Sequence, residues 1–321
     1  MKGFSAPFWA RGAHLQTVIG ALGGAPLHAP LVRERLTLPD GDFVDLDWLP
    51  DMPQDRALLL ILHGLEGSSR SVYIRRLLAS CEQAGRSAVV MHFRGCSGEP
   101  NRLARGYHAG DTADLAAVVD ALRQRAPRGL CAVGYSLGGS VLLKWLGETG
   151  SGNPLRAAIA VSVPFELAGA AARLGRGFSR LYQWALIRQL KAHLRRKARR
   201  AGHPLPALGG LTTFRAFDER VTAPLHGFAG ADDYYARASC RPYLGRIGVP
   251  TLLIQAADDP FLERSAIPGV GELSPAVQLD LSAHGGHVGF VAGPGPWAMR
   301  FWVNERLHAF LRAQRVDADD P

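Results

Sequence analysis

No stretch of this sequence approaches the roughly 18 consecutive apolar residues that a membrane-crossing helix requires. Arg11, His14 and Gln16 break up the apolar character of the N-terminus, so a secretory signal is not expected either. Cysteine is scarce. Cys81, Cys96, Cys131 and Cys240 show no CxxC spacing, which speaks against a disulfide framework or a thiolate zinc site and for free thiols in a reducing compartment. HExxH and GxxxxGK[ST] are both missing. Gly293-Pro294-Gly295 lacks the third glycine, the strand and the helix of a dinucleotide turn. Metal-assisted hydrolysis, phosphate-loop chemistry and dinucleotide binding are therefore disfavoured, and no metal or organic cofactor is expected. The remaining expectation is a soluble, cytoplasmic protein.

Acidic residues are missing between Glu166 and Asp218, while Arg173, Arg176, Arg180, Arg188, Lys191, Arg195, Arg196, Lys197, Arg199 and Arg200 crowd the same stretch. With a formal net charge of +9, this patch suits an anionic neighbour. Aromatic residues are too sparse there for a base-stacking surface, so nucleic acid is not expected. Peripheral contact with anionic membrane is the expected functional use, against the plainer reading of a solvated helix face.

What is present is an ordinary globular composition, 47% hydrophobic and 20% charged over 321 residues, enough to bury a large core without staples. Two alternating runs, 31–38 and 43–49, flank the turn signal Asp40-Gly41 and read as an antiparallel hairpin. Continuous apolar runs follow at 57–62, 88–93, 130–135, 157–163 and 249–256, with 277–281 beyond them. Helical spacing covers 72–83, 111–125 and 139–147 between them and 297–312 at the end. Buried strands alternating with helices imply a mostly parallel, eight-stranded sheet with helices on both faces. The rhythm breaks at 164–248, read as a helical lid inserted into a core of 1–163 and 249–321. Within it 178–200 reads as a helix, with Leu181, Trp184, Ala185, Leu190 and Leu194 as candidate apolar contacts.

Gly134-Tyr135-Ser136-Leu137-Gly138 is a G-x-S-x-G sequence between an expected strand and helix. A serine there sits on a tight turn with its hydroxyl exposed, and the flanking glycines leave room for neighbouring backbone. Ser136 is the candidate nucleophile and needs a base and a carboxylate. The order Ser, acid, His selects Asp259, with Asp258 as the alternative, and His287 in preference to His284. An oxyanion hole needs two backbone N–H groups; Leu137 and Leu65, in His63-Gly64-Leu65-Glu66-Gly67, are the candidates. His63 reads as a loop brace, and Glu66 as a solvated loop acid in preference to a substrate contact.

With these residues in view, the chain resembles the YheT-like branch of the α/β-hydrolases, related to the ABHD esterases. The resemblance rests on His14-Leu15-Gln16-Thr17, on the His63 to Ser68 segment, on Phe93-Arg94-Gly95-Cys96-Ser97-Gly98 with Tyr107-His108, and on the Ser136 turn. It extends through Phe217-Asp218, His226-Gly227-Phe228, Asp233-Tyr234-Tyr235, Asp258-Asp259-Pro260-Phe261 and the His284 to Phe290 segment. It implies an α/β-hydrolase fold and hydrolysis of carboxylic esters, in some relatives lipid esters, with acyl transfer to an alcohol as a variant. The expected substrate is a neutral acyl or lipid ester. A non-catalytic scaffold binding an anionic partner through the basic lid is the alternative of a different class. The segment His14 to Thr17 reads as docking the N-terminus or as part of the pocket. Arg94, Cys96, Tyr107 and His108 read as site lining or as loop packing, and Asp233-Tyr234-Tyr235 as folding the lid back onto the core.

Overall fold

The computed structural model describes residues 3–22, 27, 30–50, 53 and 55–316. A short helix, α1 (Ala13–Ala21), precedes a hairpin of β1 (Val32–Thr37) and β2 (Phe43–Trp48). Then come β3 (Leu58–Leu62), α2 (Val72–Gln83), β4 (Ala88–Met91), α3 (Ala113–Arg123), β5 (Leu130–Tyr135), α4 (Leu137–Thr149) and β6 (Leu155–Val161). The order in the eight-stranded sheet continues with β7 (Thr251–Ala256) and β8 (Val277–Ser282), running β1-β2-β4-β3-β5-β6-β7-β8. β1 and β2 pair antiparallel, as does β2 with β4, and every other pairing is parallel. The hairpin therefore sits at one edge, as its alternating pattern implies.

Alternate residues of β3 show why the central strands read as unbroken apolar runs. Leu58, Leu60 and Leu62 join one buried cluster with Leu115 and Val119 of α3 and Val141 and Leu142 of α4. Leu59 and Ile61 point the other way, to Ile74 and Leu77 of α2. Helices cover both faces, so neither face needs polar side chains. Each fully buried leucine or isoleucine contributes about 1.5–3 kcal/mol.

Between β6 and β7 the chain is helical: α5 (Leu167–Leu174), α6 (Ser179–Ala201), α7 (Phe214–Phe217), a π-helical turn over Asp218–Thr222, α8 (Ala223–Leu225) and α9 (Ala231–Ala238). Ile187 of α6, Leu208, Leu211, Phe217 and Val221 form a small core of their own. Helix α6 faces inward differently from its hydrophobic pattern. Leu181 and Trp184 are 56% and 60% exposed, whereas Gln183, Ile187, His193 and Lys197 are buried. The inward polar groups satisfy loop backbone: Gln183 accepts from the N–H of Phe214 at 3.1 Å, and Lys197 donates to the carbonyls of Ala104 and Arg105.

The C-terminus also departs from its pattern. Trp297 is fully exposed. A two-strand ladder of β9 (Val291–Ala292) and β10 (Arg300–Phe301) intervenes before the last helix, α10 (Trp302–Ala313). Phe301 lies under the Arg76 guanidinium at 3.5 Å, which fixes the chain ahead of that helix.

Candidate active site

Ser136 joins β5 to α4 with φ 51° and ψ −118°. This backbone conformation is costly for a non-glycine residue, typically 1–3 kcal/mol, and is held by packing on both sides. A Cβ on Gly134 would lie 2.5 Å from the Gly138 carbonyl oxygen, and one on Gly138 would lie 2.5 Å from that of His63. Only glycine allows these close approaches, so the turn can lift the hydroxyl off the sheet edge.

His287 arrives from the loop after β8. Its Nε2 lies 3.0 Å from Ser136 Oγ, and its Nδ1 lies 2.9 Å from one Asp259 oxygen and 3.1 Å from the other. With Nδ1–H donated to the carboxylate, Nε2 is free to accept the serine proton. Asp259 is buried and receives two more donors, the Phe261 N–H at 2.8 Å and Gln255 Nε2 at 3.2 Å. The Phe261 ring stacks on His287 at 3.8 Å and 2°. Asp258 faces elsewhere, bonding His284 Nδ1 at 3.2 Å and the Gly286 N–H at 3.0 Å. Both residues of the acidic pair thus serve the same loop, and one carboxylate reaches His287.

The His14 to Thr17 segment supports this loop directly. Thr17 Oγ1 accepts the His287 backbone N–H at 2.9 Å. Gln16 is fully buried and bonds the Val291 N–H, the Val291 carbonyl and the Ala10 carbonyl. Docking the N-terminus and holding the imidazole loop are therefore one arrangement.

The loop after β3 runs beside the serine. A Cβ on Gly64 would come 3.3 Å from the Ser136 Cβ, and Leu65 and Leu137 line the same cavity as Ser136. Leu137 is the first residue of α4, where backbone N–H groups have no partner inside the helix. His63 is buried and braces this loop: Nδ1 meets the Gly64 carbonyl at 2.7 Å, and Nε2 accepts from the Phe93 N–H at 3.2 Å. Burial, helped by His92, pushes its pKa down to about 3, so the ring stays neutral.

Glu66 is not the solvated acid its loop position suggests. Its side chain is 8% exposed and bonds His193 of α6 at 3.0 Å. Tyr107 OH donates to its carboxylate at 2.9 Å and accepts its backbone N–H at 2.8 Å. Burial opposes its charge, yet the bonds from His193 and Tyr107 leave its pKa lowered. Cys96 sits beside this group, where burial and Glu66 push the thiol well up, which makes it a poor nucleophile.

Above the serine lies a cavity of about 1200 Å³, mouth included. Leu167, Leu174 and Leu190 give it apolar walls, while Tyr107, His108, Lys197, Asp218 and His226 contribute polar groups. Asp218 is buried, its pKa pushed up to about 6 by burial, and it accepts from Thr222 and Tyr235 hydroxyls at 2.7 and 2.8 Å. That bond ties Tyr235 of α9 to the segment between α7 and α8. Arg94 lies outside the cavity lining, buried against Asp42 and Asp114. Sequence patterning did not single out Thr17, Gln255, Phe261 or His193 for the site. Thr17 and Phe261 stand inside motifs already noted, whereas His193 carries no local signal.

Residues 57–294 match the family model described as the alpha/beta hydrolase fold. The chain is 43% identical to YheT of Escherichia coli (strain K12), over 97% of this chain and 92% of that one. It is 33% identical to the phospholipase ABHD3 of Mus musculus, over 82% of this chain and 67% of that protein. Among solved structures it resembles the Pyrococcus furiosus esterase Pf2001, with a TM-score of 0.57 at 18% identity, over 88% of this chain and 92% of the other.

Proposed function

This chain belongs to the α/β-hydrolase fold family, in the group with YheT and ABHD3, and from that premise we propose that it hydrolyses carboxylic esters through an acyl-Ser136 intermediate. Ser136 Oγ attacks the ester carbonyl carbon while His287 Nε2 takes the hydroxyl proton. Asp259 holds the imidazole tautomer and stabilises the imidazolium. The backbone N–H groups of Leu65 and Leu137 receive the carbonyl oxygen as it becomes an oxyanion; losing one such donor typically costs about 10²–10³ in rate. The C–O bond to the alcohol then breaks, and His287 returns the proton to the leaving oxygen. Water, deprotonated by the same imidazole, then attacks the acyl carbon; the bond to Ser136 Oγ breaks, His287 returns the proton to that oxygen, and the acid leaves.

The observation that carries this reading is the 3.0 Å contact from Ser136 Oγ to His287 Nε2, with Asp259 behind it. The apolar walls of the cavity suit an acyl chain, and ABHD3 is named as a phospholipase, which supports a lipid-type ester. A chain-length series of nitrophenyl esters tests it. Ser136→Ala should lose turnover by about 10⁴-fold or more across the series, and undiminished turnover in that variant rejects the nucleophile.

A lipid ester on this reading comes from an anionic bilayer. Among the described residues no helix is long and apolar enough to cross a membrane, but an apolar patch stands exposed beside the site. Phe178, Leu181 and Trp184 at the start of α6 are more than half exposed, and Leu15 and Val18 of α1 are exposed as well. The ring of His14 joins the two elements, 4.5 Å from that of Phe178. Tyr182 then meets Phe261 at a tilt, 5.2 Å between rings, and Phe261 covers His287. Arg188 lies over the Trp184 ring at 5.0 Å, so aromatic anchors and phosphate-pairing cations share one face.

A further inference from the structure

Three polar side chains of the cavity have no part in the chemistry above. His108 follows Tyr107 in the loop before α3, His226 ends α8, and Lys197 projects from α6. The two imidazoles meet edge to face, 4.7 Å apart. His108 Nδ1 accepts the Gly110 N–H at 3.1 Å, so its proton lies on Nε2. Among the described residues neither His108 Nε2 nor either His226 nitrogen has a hydrogen-bond partner. Lys197 Nζ donates to the carbonyls of Ala104 at 2.9 Å and Arg105 at 2.5 Å, which leaves one N–H unused.

Two occupants suit such a group. His108, Asp111 and His226 bring ligating atoms within 4.8 Å of one another, a donor set that fits a divalent cation. The local field opposes it. Burial holds His108 down to about 4, aided by Arg105, Lys144 and Arg237, and His226 down to about 3, aided by His108, Arg105, Lys197 and Arg94. The nearby carboxylates are already engaged: Asp111 by Arg105 at 2.7 Å, Asp114 and Asp42 by Arg94. Within the cavity Glu66 is taken by His193 and Tyr107, and Asp218 by Thr222 and Tyr235. Unpaired donors in a positive field favour an anion.

We propose that His108, His226 and Lys197 receive an anionic oxygen group, phosphate or carboxylate, carried by the ester substrate. This rests on the ester-hydrolase reading and replaces the neutral ester expected from the sequence with an amphiphile that carries a charged group. Lys197 supplies the charge and the imidazoles donate N–H without charge of their own. Burial, with Arg94 and Arg105 and against Asp42, lowers the Lys197 pKa to about 8. Anion affinity should therefore fall as pH rises through about 8, where the ammonium is lost.

The test uses calorimetric binding to full-length Ser136→Ala protein, so turnover does not enter. Decyl phosphate should bind roughly tenfold or more tightly than decanol. His226→Leu and Lys197→Met should each remove most of that preference, with a thermal melt confirming the fold. Inorganic phosphate alone should bind far more weakly than decyl phosphate. Equal binding of decyl phosphate and decanol overturns the proposal, as does a preference kept in the double variant. Inorganic phosphate binding as tightly as decyl phosphate, or Zn²⁺ binding that His226→Leu abolishes, overturns it in favour of a free anion or a metal. No anion preference in the Ser136→Ala protein, with nitrophenyl ester turnover present in the wild type, sinks this inference alone; absent wild-type turnover with the preference present sinks the hydrolase reading alone.

Discussion

Asp258 and Asp259 are adjacent, yet they bond different histidines 26 and 28 residues further along. Asp259 has the full set of donors expected of a carboxylate that must stay charged and still: the His287 Nδ1–H, the Phe261 N–H and the Gln255 amide. Asp258 holds His284 and the Gly286 N–H. Replacing each by asparagine separates the roles. Asp259→Asn should lower kcat on a nitrophenyl ester by about 10⁴, because the amide favours the wrong imidazole tautomer. Asp258→Asn should cost about tenfold at most, since it loosens a loop without touching the imidazole. Steady-state kinetics of the two variants decide this, and equal losses would contradict the assignment of Asp259.

At the scale of elements, α6 carries two unlike faces. Its inward face meets the core through Gln183, Ile187, His193 and Lys197. On its outer side Leu181, Trp184, Arg188, Arg195 and Arg199 recur at helical spacing and are all exposed. This arrangement was only half legible in the sequence. The absence of acids marks the stretch as basic, and of the expected apolar contacts Leu190 and Leu194 pack against the small core while Leu181 and Trp184 stand exposed. Hydrophobicity alone does not separate a face that packs on protein from one that packs on lipid, and polar groups that bond loop carbonyls turn inward regardless. If the outer stripe meets membrane, Leu181→Asp with Trp184→Asp should abolish flotation with phosphatidylglycerol vesicles while leaving hydrolysis of a short soluble ester unchanged. Vesicles of phosphatidylcholine should bind wild-type protein weakly. Equal flotation with both lipids, or flotation unaffected by the two substitutions, contradicts the membrane role of this face.

At the scale of the whole molecule, the sheet was the most legible part. Buried parallel strands must be apolar on both faces, so β3, β5, β6 and β7 announce themselves as runs such as Leu58–Leu62. The serine turn was legible because steric demands at Gly134 and Gly138 leave a local signature. Apart from the order of serine, acid and histidine, contacts between distant segments were not. Thr17 bonds the His287 N–H across 270 residues, and Glu66 bonds His193 across 127; nothing local in either segment encodes the partner. The solvated reading of Glu66 fails for that reason, since a loop acid looks solvated until a helix from elsewhere covers it. Likewise Trp297 belongs to a short turn ahead of β10, because pairing with β9 delays the last helix.

On the hydrolase reading, Ser136 is made nucleophilic by an imidazole within a hydrogen bond of it. Fluorophosphonate treatment followed by peptide mapping measures this directly. Wild-type protein should take up one phosphonyl group on the peptide bearing Ser136, and His287→Ala should label far more slowly at the same folded-state content. Folded wild-type protein that stays unmodified, or that is modified at another residue, would contradict the account.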